Sequence, residues 1–308
     1  MFNQYRMVTQ MLRREFVTSM PLIPAALARP RRVRLGIRTA TYRTQSMKEA
    51  ATLIRAAGFQ GVQLGLWFAD ARLDLNSPDW SYARRARDIF AEAGVPILGL
   101  DGYVSLVHPD PATRQANLRG LVRLIEHAAD FGTNIIGTEA GSFHPGERGR
   151  ARPDDPVAGW KLFMHSMGEG VRAAQSAGVI LAFEPTLSTL VGTIDEVRRM
   201  LDEIGSPHLK IIWDAAHYYD STNVGDIPGL LKRMYKSFGS DVVMAHANDF
   251  RITQADRVQS CDIGDGKLDY ATFISLLDRG PKDILLAVEH TKEADVPRVK
   301  RYLDKFFA

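Results

Sequence analysis

Residues 209–217, Leu-Lys-Ile-Ile-Trp-Asp-Ala-Ala-His, contain an apolar run of strand length that ends on a carboxylate, Asp214, with His217 three residues later. Three similar runs lie on either side of it: Val-Ile-Leu-Ala-Phe-Glu at 179–184, Val-Val-Met-Ala-His at 242–246 and Ile-Leu-Leu-Ala-Val-Glu at 284–289. Each of the four runs ends on a side chain that can bind a metal, namely Glu184, Asp214, His246 and Glu289.

The same alternation of short apolar runs and helical patterns extends through the chain from Val33 onward. The runs predict eight strands, at 33–40, 61–66, 97–104, 134–139, 179–184, 209–214, 241–246 and 283–289. Most of these runs are continuous rather than alternating, which is typical of strands covered on both faces. Glycines that suit the turn from a helix into a strand follow the predicted helices. Eight such units predict an α/β fold, a closed (β/α)8 TIM barrel in a single domain.

A doubly wound open sheet is the competing fold for this alternation of strands and helices. Its dinucleotide-binding fingerprint would place Gly-x-Gly-x-x-Gly directly after the first strand. The sequence there runs Gly36-Ile37-Arg38 and shows no such pattern. The barrel is therefore favoured.

The composition is that of a soluble globular protein with room for a large core. The chain has 308 residues, of which 45% are hydrophobic and 24% charged. The net charge is only +3, so charge alone predicts neither nucleic-acid binding nor stable membrane association. Cys261 is the single cysteine, which excludes an intramolecular disulfide and a zinc–thiolate cluster.

Residues 1–28 differ from the rest of the chain. They contain Arg-Arg-Glu-Phe-Val at 13–17, a short apolar stretch and Ala-Leu-Ala at 26–28. Paired arginines before a weakly apolar region and a small-x-small site are typical of a twin-arginine export signal. We expect a signal peptide at 1–28, a barrel domain at 29–308 and export to the periplasm. A non-cleaved extension on a cytoplasmic enzyme is the alternative.

The four strand-ending side chains are the candidate functional site. Barrel enzymes place their active sites where the carboxyl ends of the strands converge. We therefore expect Glu184, Asp214, His246 and Glu289 to share one divalent cation. Three carboxylates and one imidazole favour Mn²⁺, with Mg²⁺, Co²⁺ or Zn²⁺ as alternatives. The competing interpretation is four separate polar strand ends, each hydrogen-bonded to a loop.

This series resembles the sugar phosphate isomerase/epimerase family of xylose isomerase-like TIM barrels. A second matching segment is 264–270, Gly-Asp-Gly-Lys-Leu-Asp-Tyr, which is similar to a Gly-x-Gly-x-x-Asp-aromatic segment of the family. The resemblance implies that the four residues ligate a metal and that Glu184 and Glu289 also form an acid/base pair on opposite faces of the substrate. It also implies that His217 hydrogen-bonds a substrate oxygen.

Further candidates for substrate binding are Arg251, Glu139 and Trp67. Arg251 follows His246 near the position where epimerase-like members place a substrate-binding arginine, and Arg257 is a second candidate for that role. Glu139 ends the fourth predicted strand, and Trp67 follows the second, where it could form an apolar wall for a sugar. A structural role in packing or loop hydrogen bonding is the alternative for each.

The expected reaction is a metal-dependent isomerisation or epimerisation of a keto-sugar or related polyol by proton abstraction next to a carbonyl. A metal-dependent dehydratase or lyase would use the same groups. An exported carbohydrate-binding protein has no need of two opposed glutamates. An endonuclease IV-like nuclease would need further histidines and a basic surface. The expected partner is a small-molecule carbohydrate, and the sequence leaves a homo-oligomer open.

Overall fold

The computed structural model of the chain describes residues 32–147, 150–255, 257–280 and 283–307. The predicted signal peptide at 1–28 lies outside these residues. Within them, no helix combines the length and the apolar character that crossing a membrane requires.

Eight parallel strands close into a barrel, which confirms the predicted fold. Each strand pairs with its neighbour in the sequence, and the last pairs with the first. The strands are β1 (Val33–Arg38), β2 (Val62–Leu64), β3 (Ile97–Asp101), β4 (Ile135–Thr138), β5 (Ile180–Phe183), β6 (Leu209–Asp214), β7 (Val242–Ala247) and β8 (Ile284–Val288).

One α-helix follows each barrel strand. The helices are α1 (Met47–Ala56), α2 (Ser81–Glu92), α3 (Pro111–Glu126), α4 (Pro156–Ala177), α5 (Ile194–Ile204), α6 (Ile227–Phe238), α7 (Tyr270–Asp278) and α8 (Val296–Asp304). Local capping interactions determine where these helices begin and end. Thr193 caps α5 by accepting a hydrogen bond from the Glu196 amide, and the Glu196 carboxylate accepts one from the Thr193 amide. Gly178 ends α4 with a left-handed φ of 67°, whereas Gly239 after α6 has a φ of −58°.

Apolar side chains fill the barrel interior. The interior layer consists of Ala182, Ile212, Val243, Met244, Leu285 and Ala287. Gly99 makes room for this layer, because a Cβ atom there would lie 2.3 Å from Met244 Cε. The barrel is thus a packed core and leaves only its rim for chemistry.

Two antiparallel hairpins extend from the rim in stretches where the sequence predicts only loops. One pairs Trp67–Phe68 with Ala71–Arg72, directly after β2. The other pairs Asp249–Ile252 with Val258–Cys261, inside the predicted loop 247–268. The side chains of the second hairpin strand are exposed or half-buried, so the strand carries no apolar signal that would mark it in the sequence.

The buried carboxylate of Asp249 anchors the segment 247–268, which contains the second hairpin. It accepts hydrogen bonds from the amides of Phe250 (2.9 Å), Leu268 (3.0 Å), Gly264 (3.0 Å) and Gly266 (3.2 Å). Only glycine fits at position 266, because a Cβ atom there would lie 2.1 Å from Asp249 Oδ1. The glycine-containing segment 264–270 therefore donates three of its backbone amides to one carboxylate.

Replacing Asp249 by Ala should destabilise the protein, because four backbone amides lose their acceptor at once. We expect the free energy of unfolding to fall by about 2–4 kcal/mol, measured by urea denaturation followed by circular dichroism. The matched control is Asp262→Ala, an exposed residue of the same loop, for which we expect a change within about 0.5 kcal/mol. Equal stability of the two variants would contradict the anchoring role.

Candidate metal centre

Four side chains converge at the carboxyl ends of the last four strands. Glu184 follows β5, Asp214 ends β6, His246 lies near the end of β7 and Glu289 follows β8. One ligand atom from each lies within 4.8 Å of the other three. All four residues are buried, with exposed fractions between 0 and 5%.

Strand periodicity explains why all four side chains meet. The residues two positions earlier on the same strands are Ala182, Ile212, Met244 and Ala287, and all four belong to the interior layer of the barrel. Side chains two apart on a strand face the same side. The four ligand candidates therefore form the next layer above the apolar interior, at the rim.

The contacts around His246 Nδ1 leave a position that suits a cation. This nitrogen lies 2.9 Å from Glu184 Oε1 and 2.7 Å from Glu289 Oε2. A single nitrogen can share its proton with only one of these oxygens, and Glu289 Oε2 is buried without a hydrogen bond. A metal ion among these atoms would satisfy all of them. The residues present therefore fit a divalent cation.

A chain of hydrogen bonds sets which nitrogen of His246 faces the centre. His246 Nε2 lies 2.7 Å from Gln63 Oε1, and Gln63 Nε2 donates to the Tyr103 hydroxyl at 3.3 Å. Tyr103 in turn donates to Glu184 Oε2 at 2.6 Å. Donation from Nε2 to Gln63 Oε1 places a proton on Nε2 and would leave the Nδ1 lone pair for a metal ion when one is bound, which is the tautomer that a metal ligand needs.

Both glutamates have their second oxygen occupied outside the centre. Glu184 Oε2 is held by Tyr103, and Glu289 Oε1 is held by the guanidinium of Arg38. Arg38 also donates to Asp101 Oδ2 at 2.8 Å and stacks 4.7 Å from the Tyr103 ring centroid. Each glutamate is thus oriented with one oxygen toward the centre.

Asp214 is held on both oxygens. The amide of Ala216 donates to Oδ1 at 2.9 Å, and the Asn248 side chain donates to Oδ2 at 3.1 Å. A carboxylate keeps further lone pairs when it accepts one hydrogen bond on each oxygen. Asp214 can therefore still offer an oxygen to a cation.

The pKa values of the ligand candidates shift in different directions, and burial raises that of Asp214. Burial by itself would raise the pKa of Glu289, but the charges of His246 and Arg38 hold that pKa well below its usual value. Burial would lower the pKa of His246, yet Glu184 and Glu289 raise it well above the usual value. Without a cation the imidazole thus attracts a second proton, and a bound divalent ion would take that proton's place.

Two other predicted site residues lie beside the centre. His217 Nε2 is 3.4 Å from Asp214 Oδ2, and its Nδ1 is 3.5 Å from Glu184 Oε1. Glu139 is half-buried, and both its burial and the negative charge of Glu184 raise its pKa. Both residues share the electrostatic environment of the four ligand candidates.

Trp67 and Arg251 lie on the two hairpins. Trp67 is 55% exposed and packs under the guanidinium of Arg72, 5.0 Å from the ring centroid. Arg251 is exposed and donates to Gln259 at 3.2 Å, and Arg257 is also exposed. Among the residues placed in the structure, no contact joins any of these three to the four ligand candidates.

Sequence reasoning missed the residues that orient the ligands: Arg38, Gln63, Tyr103 and Asn248. A weak signal existed for Gln63, which is a polar residue between Val62 and Leu64 in an otherwise apolar strand. Gly137 is part of the same arrangement, because a Cβ atom there would lie 3.0 Å from Gln63 Nε2.

Comparison with known proteins places the chain among related barrels. A family model described as xylose isomerase-like TIM barrel matches residues 25–306. The 3-keto-D-glucoside 4-epimerase of Escherichia coli is similar with a TM-score of 0.67 at 17% identity, covering 89% of this chain and 99% of that one. No curated protein sequence matches significantly.

Two further solved structures have the same fold. A xylose isomerase-like TIM barrel protein from Mycobacterium smegmatis in complex with magnesium gives a TM-score of 0.68 at 16% identity, covering 89% of this chain and 96% of that one. A probable 3-DHS dehydratase from Bacillus anthracis gives 0.68 at 16% identity, with coverages of 88% and 98%. At 16–17% sequence identity, these similarities show a shared fold only.

Replacing Gln63 by Ala should weaken divalent metal binding by about 10–100-fold, because His246 loses the acceptor that fixes its tautomer. Isothermal titration calorimetry with Mn²⁺ would measure the dissociation constant. Gln259→Ala, an exposed glutamine on the second hairpin, is the control and should bind like the wild type. Unchanged affinity in the Gln63 variant would exclude the orienting role.

Proposed function

The chain belongs to the family of xylose isomerase-like TIM barrels, and we propose that it is a divalent-metal-dependent isomerase or epimerase acting on a keto-sugar or related polyol. The observation that carries this proposal is the pair of glutamates on either side of His246 Nδ1. Two oriented carboxylates at one centre are what proton removal and return require. The 3-keto-D-glucoside 4-epimerase fold supports the same class of reaction.

Glu184, Asp214, His246 and Glu289 would hold the ion, and we favour Mn²⁺ because three carboxylates and one imidazole form a mostly hard ligand set. Mg²⁺, the ion in the Mycobacterium smegmatis structure, is the first alternative. When bound, such an ion polarises a carbonyl group and makes the neighbouring C–H acidic.

The side chains of the protein then move the proton. One glutamate removes it from the carbon next to the carbonyl. The other returns a proton to the opposite face, which gives an epimer, or the first passes it to the neighbouring carbon, which gives an isomer. Burial lowers the pKa of His217, whereas the charges of Asp214, Glu184 and Glu289 raise it, and the net shift is upward. A ring N–H of His217 can donate a hydrogen bond to a substrate oxygen.

A dehydratase acting on the same kind of substrate is the second candidate, and Glu139 is the observation that favours it. Burial and the charge of Glu184 raise the pKa of this carboxyl, which shifts it toward the protonated form. A protonated carboxyl beside the centre could act as the general acid for a departing hydroxyl group. The probable dehydratase among the similar structures has the same fold.

Deuterium exchange tests the proposal. We would incubate the Mn²⁺-loaded protein with a panel of ketoses and keto-polyols in D₂O and follow carbon-bound deuterium by NMR. Metal-dependent exchange next to a carbonyl is expected. An epimer as product supports the first candidate, and loss of water supports the second. An absence of exchange across the panel, with metal bound stoichiometrically, would count against proton abstraction.

Glu184→Gln and Glu289→Gln should each lower kcat for this exchange by about 10²–10⁴-fold, because the amide cannot accept the proton. The control is Glu92→Gln, an exposed residue in α2, which should exchange at the wild-type rate. Thermal unfolding would establish that all three variants are folded. A glutamate variant with near wild-type kcat would remove that residue from the acid/base role.

We also propose that the protein is exported by the twin-arginine route, because Arg13 and Arg14 precede a short apolar stretch. Arg13→Lys with Arg14→Lys should retain the protein in the cytoplasm, whereas Arg6→Lys should not. Cell fractionation followed by immunoblotting measures this. If the two variants were distributed identically between cytoplasm and periplasm, the result would favour a cytoplasmic enzyme.

A further inference from the structure

A cavity of about 460 Å³ opens between the loop after β1 and the loop after β8. Glu289 lies in its wall, so the cavity adjoins the candidate metal centre. Its volume lies within the range of pockets that bind small molecules, and both loops belong to the rim where barrel enzymes bind substrate.

The wall of this cavity contains three cationic side chains, Arg38, Arg43 and Lys292. Glu289 is the one acidic residue among its lining residues. Arg38 is already paired with Glu289 and Asp101. Arg43 and Lys292 are exposed, and neither forms an ion pair with another residue in the placed ranges. Two cationic side chains are therefore available to a ligand.

The backbone at this position is held in a costly conformation. His290 has a φ of 52°, and it is the one non-glycine residue with positive φ among those that the structure describes. Thr291 is 8% exposed and donates from its hydroxyl to the Glu289 carbonyl oxygen at 3.2 Å. Left-handed backbone at a residue with a side chain persists where its surroundings fix it, and it is concentrated at ligand sites. Here the turn brings Lys292 to the cavity that Glu289 borders.

We propose that this cavity binds a negatively charged group of the substrate, a carboxylate or a phosphate. Arg43 and Lys292 would bind it through charge-assisted hydrogen bonds. Glu289 opposes this only in part, because Arg38 pairs with it. A neutral sugar would form no ion pair with either cation. The inference rests on the proposed function only where it identifies the bound anion as part of the substrate. Together the two proposals predict that the substrate is an acidic keto-sugar.

Anion binding can be measured without turnover. Calorimetric titration of the Mn²⁺-loaded protein with D-glucuronate, inorganic phosphate and neutral D-fructose compares the two anionic groups with an uncharged sugar. The test variant is Arg43→Gln with Lys292→Gln. The control is Arg84→Gln with Lys232→Gln, which removes the same charge from exposed positions outside the cavity.

We expect at least one of the two anions to bind more tightly than D-fructose, and its dissociation constant to rise about tenfold or more in the test variant but not in the control. Tighter glucuronate binding would assign a carboxylate, and tighter phosphate binding would assign a phosphate. Anion binding that persists unchanged in the test variant would place the anion on the metal and overturn the proposal, as would binding of neither anion. These outcomes do not depend on deuterium exchange, so failure of the catalytic proposal remains distinguishable.

Discussion

Mutual repulsion of three buried carboxylates is the constraint on which the rest of the rim depends. Glu184, Asp214 and Glu289 offer oxygens within 4.8 Å of one another, a distance at which two unit charges repel by about 3–4 kcal/mol at an effective dielectric constant near 20. No fold tolerates this without nearby positive charge and hydrogen-bond donors. Arg38 supplies a positive charge, the imidazoles of His246 and His217 lie against the carboxylates, and Tyr103, Asn248 and the Ala216 amide supply donors.

Asp214 is held by groups that follow its own and the next strand, whereas the two glutamates and His246 depend on the other half of the barrel. Strands β5 to β8 carry the ligand candidates, whereas β1, β2 and the chain after β3 carry Arg38, Gln63 and Tyr103. Closure makes the division effective: Arg38 reaches Glu289 because β1 pairs with β8. Gln63 reaches His246 across the interior. In an open sheet β1 and β8 could lie at opposite edges, and these contacts would be lost.

The sequence predicts the strands and the ligand candidates better than it predicts the contacts that orient those ligands. The eight strands and the four ligand candidates are predictable because each lies in a local pattern, an apolar run that ends on a ligand. The orienting contacts are not local, since Gln63 and His246 are 183 residues apart and Arg38 and Glu289 are 251 apart. Strand ends also mislead: β3 ends at Asp101 rather than at 104, so Tyr103 belongs to a loop. The hairpin strand Val258–Cys261, whose side chains are exposed or half-buried, lacks the continuous apolar run that marks the barrel strands.

Arg38 connects the buried centre to the cavity beside it. Three carboxylates outweigh a single divalent ion by one negative charge, and this excess would repel an acidic substrate. Arg38 offsets part of that charge at Glu289, the ligand candidate that borders the cavity. Its second partner, Asp101, fixes the guanidinium in place at 2.8 Å and keeps it from swinging toward an incoming anion. The arginine therefore acts as a fixed screen, while Arg43 and Lys292, which have no such partners in the described part of the chain, remain free to bind.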